Sequence, residues 1–331
     1  MLEVVGYIVL LLVGFFGLIK GADLFVDGSS SLAKIFKVPG VIIGLTIVAM
    51  GTSAPELAVS TSAALSGSNE IALSNVIGSN IFNLLMVLGI CSIICKVPVD
   101  KVILKRDFPV MLLVTLGIIL GTGLDAVMTG SFLSGSVLTE VGMVNRWLGL
   151  ALVAVFVVYL VVLIADAKKH PVEEEDEIKA MPAWKCFLCI LVGLILIVAG
   201  GKATVESAKY IAKAVGMSET IIGLTVVAAG TSLPELVTSI VAAKKGEVGM
   251  AVGNAVGSCI FNAMLILGVS SFIHPFPVNA ASVFDMIILL GISVVTFIFA
   301  VTGKAIKRWQ GIAMVLMYAA DVAFAVLREV R

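Results

Sequence analysis

The sequence is poor in charged residues, which excludes most classes of soluble protein. Asp, Glu, Lys and Arg make up 13% of the 331 residues, whereas hydrophobic residues make up 60%. A soluble domain usually has about a quarter of its residues charged. Basic and acidic residues balance at 22 each, and no basic patch or nucleic-acid motif is present. We therefore expect a lipid bilayer, and no nucleic acid, around this chain.

Ligands for soft metals and catalytic groups are also scarce. The two histidines are far apart and fall in or near loops, while Cys91 with Cys95 and Cys186 with Cys189 lie at helical spacings within apolar segments. Zinc needs four clustered ligands, and a membrane hydrolase needs metal ligands or a nucleophile with its base. We expect packing cysteines, no cofactor and no enzyme activity.

Long apolar runs recur along the whole chain. Runs of this kind cross roughly 30 Å of hydrocarbon as helices, and the alternating segments of a barrel are missing. The first run lacks a basic n-region and a cleavage site, so we expect a retained helix. The sequence predicts an all-α polytopic membrane protein with ten transmembrane helices, at 4–20, 40–64, 70–95, 107–124, 147–165, 184–200, 218–243, 248–273, 282–301 and 309–327. Polar-dotted extensions are expected at 20–36 and 200–215.

Lysine and arginine are distributed unevenly between the predicted loops. With the N-terminus outside, the inward loops carry sixteen of them and the outer side carries six. Basic residues favour the cytoplasmic side of a membrane, so both termini are predicted to lie outside. The hydrophilic segment 166–183 is then a short cytoplasmic linker, and no obligate protein partner is evident.

The chain contains an internal repeat. Residues 44–89 align without a gap on residues 223–268, and 24 of the 46 positions are identical. We call the displacement along the chain that carries residue 44 onto residue 223 the repeat shift. Each repeat holds five predicted spans, an odd number, so the second must enter the membrane from the opposite side. We therefore expect two inverted five-helix repeats, 1–165 and 184–331, the first with an extracellular insert within 124–145.

Each repeat places a proline and a glutamate within a predicted span, in GTSAPE (51–56) and GTSLPE (230–235). In a continuous helix Pro55 would remove one N–H and collide with the carbonyl of Gly51. The prediction is a kinked segment with free carbonyls, which is tolerated in a membrane only where it lines a cavity. A bound cation could partner those carbonyls.

Polar side chains repeat at helical spacing around these motifs. Residues four apart share a helix face, as in the pairs Thr52 with Glu56, Thr231 with Glu235, Ser79 with Asn83, and Ser258 with Asn262. If the inverted copies meet, they form an all-oxygen site of the kind that hard cations such as calcium prefer. Protonated acids that merely bond helices together are the alternative, but two glutamates in matched frames favour function.

The blocks GTSAPE…GSNIFN and GTSLPE…GSCIFN resemble the sodium/calcium exchanger branch of the calcium/cation antiporter superfamily, prokaryotic type. The resemblance implies that Glu56 and Glu235 are shared calcium ligands and that Asn83 and Asn262 lie at the centre. It also implies sodium sites formed by the hydroxyls of Ser53, Ser79, Ser232 and Ser258 and by the carbonyls of Ala49 and Ala228, with Thr52 and Thr231 contributing backbone carbonyls. Both central positions are Asn, which weakens the case for potassium co-transport.

The resemblance implies a secondary active antiporter that exchanges sodium for calcium by alternating access at the bilayer midplane. Family members switch by sliding their first and sixth helices, here 4–36 and 184–215. Ca²⁺ and Na⁺ would be transported ions rather than cofactors. The alternative is a proton-coupled antiporter of calcium or another divalent cation, in which the same carboxylates carry protons; an ion channel is a further alternative, distinguished by transport without a counter-ion.

Overall fold

The computed structural model describes residues 2–67, 70–129, 139–169, 181–217, 222, 226 and 228–330. Within these residues, eight helices are long and apolar enough to cross a membrane, and a bent helix pair raises the number to nine. The chain is therefore a mostly helical, multi-pass integral membrane protein. The predicted helix 218–243 lies partly outside the described residues, as do parts of the linker 166–183 and of the insert 124–145.

Six helices precede the linker. They are α1 (Leu2–Phe36), α2 (Gly40–Thr52), α3 (Ala54–Leu65), α4 (Glu70–Phe82, a π-helical turn Asn83–Val87, then Leu88–Ile94), α5 (a π-helical turn Ile103–Asp107, then Phe108–Thr129) and α6 (Arg146–Lys169). The predicted span 4–20 and its extension form one continuous helix. The predicted span 40–64 is instead two helices, α2 and α3, that meet at 48°.

Six further helices follow in the described part of the second half. They are α7 (Ala183–Ala214), α8 (Ala228–Gly230), α9 (Leu233–Lys244), α10 (Val248–Phe261, a π-helical turn Asn262–Ile266, then Leu267–Ile273), α11 (Ala280–Gly303) and α12 (Arg308–Val330). The span 184–200 and its extension again form one helix, α7. The π-helical turns of α4 and α10 begin at Asn83 and Asn262, which are counterparts under the repeat shift.

Two short antiparallel ribbons correct the expectation of an all-α chain. Strand β1 (Val97–Pro98) pairs with β4 (Ala305–Ile306), and β2 (Glu140–Val144) pairs with β3 (Phe276–Asn279). Each ribbon joins the two halves. Strands this short carry too little alternation to be recognised in a sequence. Strand β2 belongs to the predicted insert. It packs directly against α5 at Gly142, where a Cβ would lie 1.5 Å from the carbonyl oxygen of Thr122.

Helices α4 and α10 form the centre of the molecule. In their most apolar windows, 72% and 78% of residues are buried, whereas only 17% are buried in α1 and in α12. The outer helices expose large apolar side chains, such as Phe16 of α1 and Trp309 of α12. This pattern is expected when the outer helices face lipid and surround two central helices that carry polar residues.

Helices α1 and α7 pack against each other through glycines. A Cβ at Gly14 would lie 2.9 Å from the carbonyl oxygen of Gly200, and one at Gly193 would lie 2.7 Å from that of Gly21. The order of these contacts shows that the helices run antiparallel. The contacts are reciprocal, because the repeat shift carries Gly14 onto Gly193 and Gly21 onto Gly200.

Candidate ion-binding site

Each GTSxPE motif forms a break between two helices. The first half breaks at Ser53, whose backbone (φ −83°, ψ 10°) separates α2 from α3. The second half breaks at Ser232 (φ −94°, ψ 7°), directly before α9. Pro55 and Pro234 therefore occupy the first turns of new helices, where no N–H is required. The predicted kink is present, and the predicted clash with the Gly51 carbonyl is avoided because α2 ends at Thr52.

The two carboxylates face each other's half of the chain. Glu56 and Glu235 lie in the first turns of α3 and α9 and are fully buried. Ser53 donates to Glu235 Oε1 over 2.7 Å, and Ser232 donates to Glu56 Oε1 over 3.0 Å. A helix N-terminus favours negative charge. The structure therefore gathers the two breaks and their acids around one buried location.

Serines and asparagines of α4 and α10 extend the cluster unequally. Ser258 Oγ lies 3.0 Å from Ser53 Oγ and 3.5 Å from Glu235 Oε1. Its counterpart, Ser79, is buried without a hydrogen-bond partner among the described residues. Asn262 donates to Asn80 over 3.1 Å. The residue that corresponds to Asn80 in the second half is Cys259, which cannot replace that amide.

Several buried polar atoms of the two breaks and of α4 and α10 have no hydrogen-bond partner among the described residues. Among the described residues these include one oxygen of each carboxylate and amide or hydroxyl groups nearby: Glu56 Oε2, Glu235 Oε2, Ser79 Oγ, Asn83 Oδ1 and Nδ2, and Asn262 Oδ1. Buried polar atoms normally find partners, and leaving one unsatisfied costs about 1–3 kcal/mol. A cluster dominated by unsatisfied oxygens is chemically suited to a cation.

The remaining predicted ligands lie in the same two segments. Thr52 is buried, and its hydroxyl donates to Asn254 Oδ1 over 3.0 Å, with the carbonyl oxygen of Val48 at 3.1 Å. The carbonyl of Ala49 accepts a bond from the Ser53 amide over 3.0 Å. Ala228 opens α8, and Thr231 lies half-buried in the second break.

Asn75 and Asn254 lie beside the glutamates but are absent from the ligand set predicted from the sequence. Asn254 donates to the carbonyl of Glu235 over 3.2 Å, and Asn75 donates to that of Glu56 over 3.4 Å. The signal was available, because the repeat shift places one asparagine on the other. The π-helical turns that begin at Asn83 and Asn262 left no comparable signal in the sequence, although such turns are frequent at functional sites.

A cavity of about 640 Å³ reaches the site from one end of the molecule. It lies between α3, α7 and the second break, with Thr231 and Pro234 in its lining. Charged and hydroxyl groups line it farther along α3 and α7: Ser62, Ser66, Lys202, Glu206 and Lys209. This cavity therefore borders the GTSxPE motif of the second half.

At the opposite end, α1 is held to the loop between α9 and α10. Lys245 pairs with Asp27 over 2.7 Å and with Asp23 over 3.1 Å. Ser30 donates to Glu247 in the same loop. Partial burial opposes the charge of Lys245, but the bonds to Asp27 and Asp23 outweigh it and raise the pKa of Lys245. We call Asp23, Asp27, Ser30, Lys245 and Glu247 the latch.

Two other acids in predicted spans have no counterpart acid in the first half. Asp285 accepts two bonds from Arg328, at 2.6 and 2.9 Å. Asp321 lies on α12, the helix whose most apolar window is only 17% buried. Neither acid belongs to the predicted ligand set.

Comparisons with known proteins identify similar proteins along nearly the whole chain. The family described as "Sodium/calcium exchanger protein" matches residues 6–165 and 185–327. The sodium/calcium exchanger MaX1 of Methanosarcina acetivorans is 32% identical, over 96% of this chain and 97% of that protein. The uncharacterized membrane protein MJ0091 of Methanocaldococcus jannaschii is 34% identical, over 96% and 97%. The structure of the sodium-calcium exchanger NCX_Mj soaked with 10 mM Na⁺ and 10 mM Sr²⁺ superposes with a TM-score of 0.78 at 32% identity, covering 98% of this chain and 99% of that one.

Proposed function

We propose, from the premise that the chain belongs to the sodium/calcium exchanger protein family, that it exchanges sodium for calcium by alternating access. Membership makes it a membrane cation antiporter rather than an enzyme. The coupling to sodium, the position of the site at the midplane and the roles of individual residues are our proposals.

One observation carries the proposal. Two buried glutamates, one from each half, each accept a hydrogen bond from a serine hydroxyl of the opposite half. Each glutamate keeps one carboxylate oxygen without a partner among the described residues. Calcium takes six to eight oxygen ligands. We propose that both glutamates bind the calcium ion, together with hydroxyl, amide and carbonyl oxygens from this set: Thr52, Thr231, Ser53, Ser232, Ser79, Ser258, Asn83, Asn262, Ala49 and Ala228. Sodium ions would occupy overlapping positions.

Charge explains why such a carrier would exchange rather than leak. One calcium ion neutralises two carboxylates, and two or more sodium ions can do the same. The empty site would hold two uncompensated negative charges, and buried unpaired charge is costly. Only the loaded site would then switch easily between the two sides of the membrane.

We also propose the ten-span inverted architecture, with 1–165 and 184–331 as the repeats and 166–183 as the linker. The antiparallel, reciprocal packing of α1 and α7 supports it. So does the cross-half bonding of the two breaks. The lysine and arginine distribution supports both termini on the outer side, which would make the 640 Å³ cavity outward-facing.

The experiment is radioactive calcium uptake into proteoliposomes that contain the purified chain. We expect an outward sodium gradient to drive uptake and a proton gradient of equal size not to. Glu56→Gln should lower uptake to the level of protein-free vesicles because the site loses one carboxylate. The matched control is Glu140→Gln, an exposed glutamate of β2, which should keep wild-type uptake.

Three outcomes would contradict the proposal. Uptake driven by protons and not by sodium would indicate a proton-coupled antiporter. Uptake without any counter-ion would indicate a channel. Wild-type uptake by Glu56→Gln would remove that carboxylate from the site.

A further inference from the structure

A second symmetric set of polar residues lies beside the ion-binding glutamates. Asn254 of α10 is fully buried, and its amide nitrogen donates to the carbonyl of Glu235 over 3.2 Å and to Ser239 Oγ over 2.9 Å. Its amide oxygen accepts from the Thr52 hydroxyl over 3.0 Å. One side chain thus joins the glutamate of the second half to the threonine of the first half.

Asn75 of α4 makes the reciprocal connection. Its nitrogen donates to the carbonyl of Glu56 over 3.4 Å and to Ser60 Oγ over 3.0 Å. Its oxygen lies 3.5 Å from the Thr231 hydroxyl. We call each of these two sets of contacts a bridge. The repeat shift relates every residue of the Asn75 bridge to a residue of the Asn254 bridge.

Only an amide side chain can make these bonds. Both connections use the two N–H donors and the carbonyl oxygen of an asparagine amide. An ionised aspartate has no donor, and a serine hydroxyl has one. The identity of the residue at both positions is therefore explained by its hydrogen bonds, without any contact to an ion.

The two bridges differ in length and surroundings. In the bridge through Asn254, the residues Asn254 and Thr52 are fully buried, and the bond between them is 3.0 Å long. In the other bridge, Thr231 is half-buried and lines the 640 Å³ cavity, and its bond to Asn75 is at the limit of hydrogen bonding. The longer bridge lies on the open side of the site.

We infer that Asn254 and Asn75 are positioning residues that hold the glutamate segment of one half to the threonine of the other half. In the state described here, the Asn254 bridge is closed and the Asn75 bridge is loosened beside the cavity. The roles exchange when access switches to the other side. This inference rests on the proposed function and extends it to residues outside the ligand set.

A double-mutant cycle on calcium affinity, measured by calorimetry on purified protein, tests the inference. One buried hydrogen bond contributes about 0.5–1.5 kcal/mol, so Asn254→Leu should weaken calcium binding by up to roughly tenfold. Thr52→Val should add little to Asn254→Leu, because both remove the same bond. Thr52→Ser keeps the hydroxyl that bonds to Asn254, so it should weaken calcium binding less than Thr52→Val.

The matched control replaces Thr52→Val by Thr231→Val. Thr231 bonds to Asn75 and not to Asn254, so its effect should add to that of Asn254→Leu. Asn75→Leu should weaken calcium binding less than Asn254→Leu, by roughly twofold, because its bond to the opposite half, at Thr231, is longer.

Additive effects of Thr52→Val and Asn254→Leu would overturn the inference, as would unchanged affinity in Asn254→Leu. If Asn254→Leu yields no folded protein, the same cycle with Asn75→Leu and Thr231→Val decides. Failure of both asparagine variants to fold would contradict a positioning role, because the amides would then be needed for folding. Calcium binding needs no gradient, so these outcomes stand apart from a failure of sodium coupling; a wild type that binds no calcium would contradict the proposed function instead.

Discussion

The two ends of the molecule are formed by corresponding parts of the two repeats, but one end is held by ion pairs and the other contains a cavity. At one end, Lys245 ties α1 to the α9–α10 loop through Asp23 and Asp27. At the other end, the counterparts of these three residues under the repeat shift line an open cavity: Ser66, Lys202 and Glu206. The Ser66 hydroxyl bonds within its own helix end, to the carbonyls of Ser62 and Ala63.

The difference shows where the two halves are free to diverge. Around the ion site, identical residues in both repeats make reciprocal bonds across the halves. At the helix ends, Lys245 forms two ion pairs, whereas its counterpart Ser66 carries no charge. A symmetric set of polar residues can thus lie between two ends that are held together differently.

The largest effect is expected from Lys245→Gln, which removes the two ion pairs of the latch. Each partly exposed ion pair contributes about 0.2–1 kcal/mol, so losing two should raise the population open at the latch end roughly two- to thirtyfold. A cysteine at Ala33, which lines a cavity of about 200 Å³ beside Glu247, reports that opening. We expect its maleimide labelling rate to rise by this factor in a chain whose five native cysteines are replaced by alanine.

The control for this experiment is the neighbouring substitution Lys244→Gln. Lys244 is exposed and has no ion pair within the described residues, so its labelling rate should match the parent. Equal rates in Lys245→Gln and the parent would show that the latch does not hold α1. An equal rise in Lys244→Gln would show that charge near the loop matters without the specific pairs.

A smaller change should follow from building a latch at the open end with Ser66→Lys and Lys202→Asp together. These substitutions copy Lys245 and Asp23, and Glu206 already stands in the position of Asp27. A new ion pair without optimised geometry should contribute at the lower end of the usual range. Closing the cavity end favours the opposite access state, so labelling at Ala33→Cys should rise by roughly twofold.

Ser66→Gln with Lys202→Asn is the control of similar size without the new charge pair. It should leave the labelling rate at the parental value. A fall in labelling in the charged double variant, rather than a rise, would contradict the assignment of the two ends to alternating access.

The sequence predicted the parts of this molecule that depend on repetition and on helix chemistry. The repeat shift related the two glutamates, and Pro55 and Pro234 marked breaks that the structure places at Ser53 and Ser232. These signals are strong because proline and glutamate are both costly within an apolar helix. The serine bonds between the halves follow from bringing the two breaks together.

Other parts depended on packing that a single sequence does not reveal. The partner of Thr52 is Asn254, far away in the chain, and only the close approach of α2 to α10 brings them together; a Cβ at Gly44 would lie 2.4 Å from the carbonyl oxygen of Met250. The latch likewise depends on which helix end faces Lys245. The strands pair residues of opposite halves and are too short for periodicity to show.

Calcium binding to the purified chain and to its two glutamate variants tests the central claim most directly. We predict one calcium ion per chain, displaced by sodium, with binding lost in Glu56→Gln and lost equally in Glu235→Gln because the two acids form one site. Two independent calcium ions per chain, or retained binding in either variant, would contradict the account.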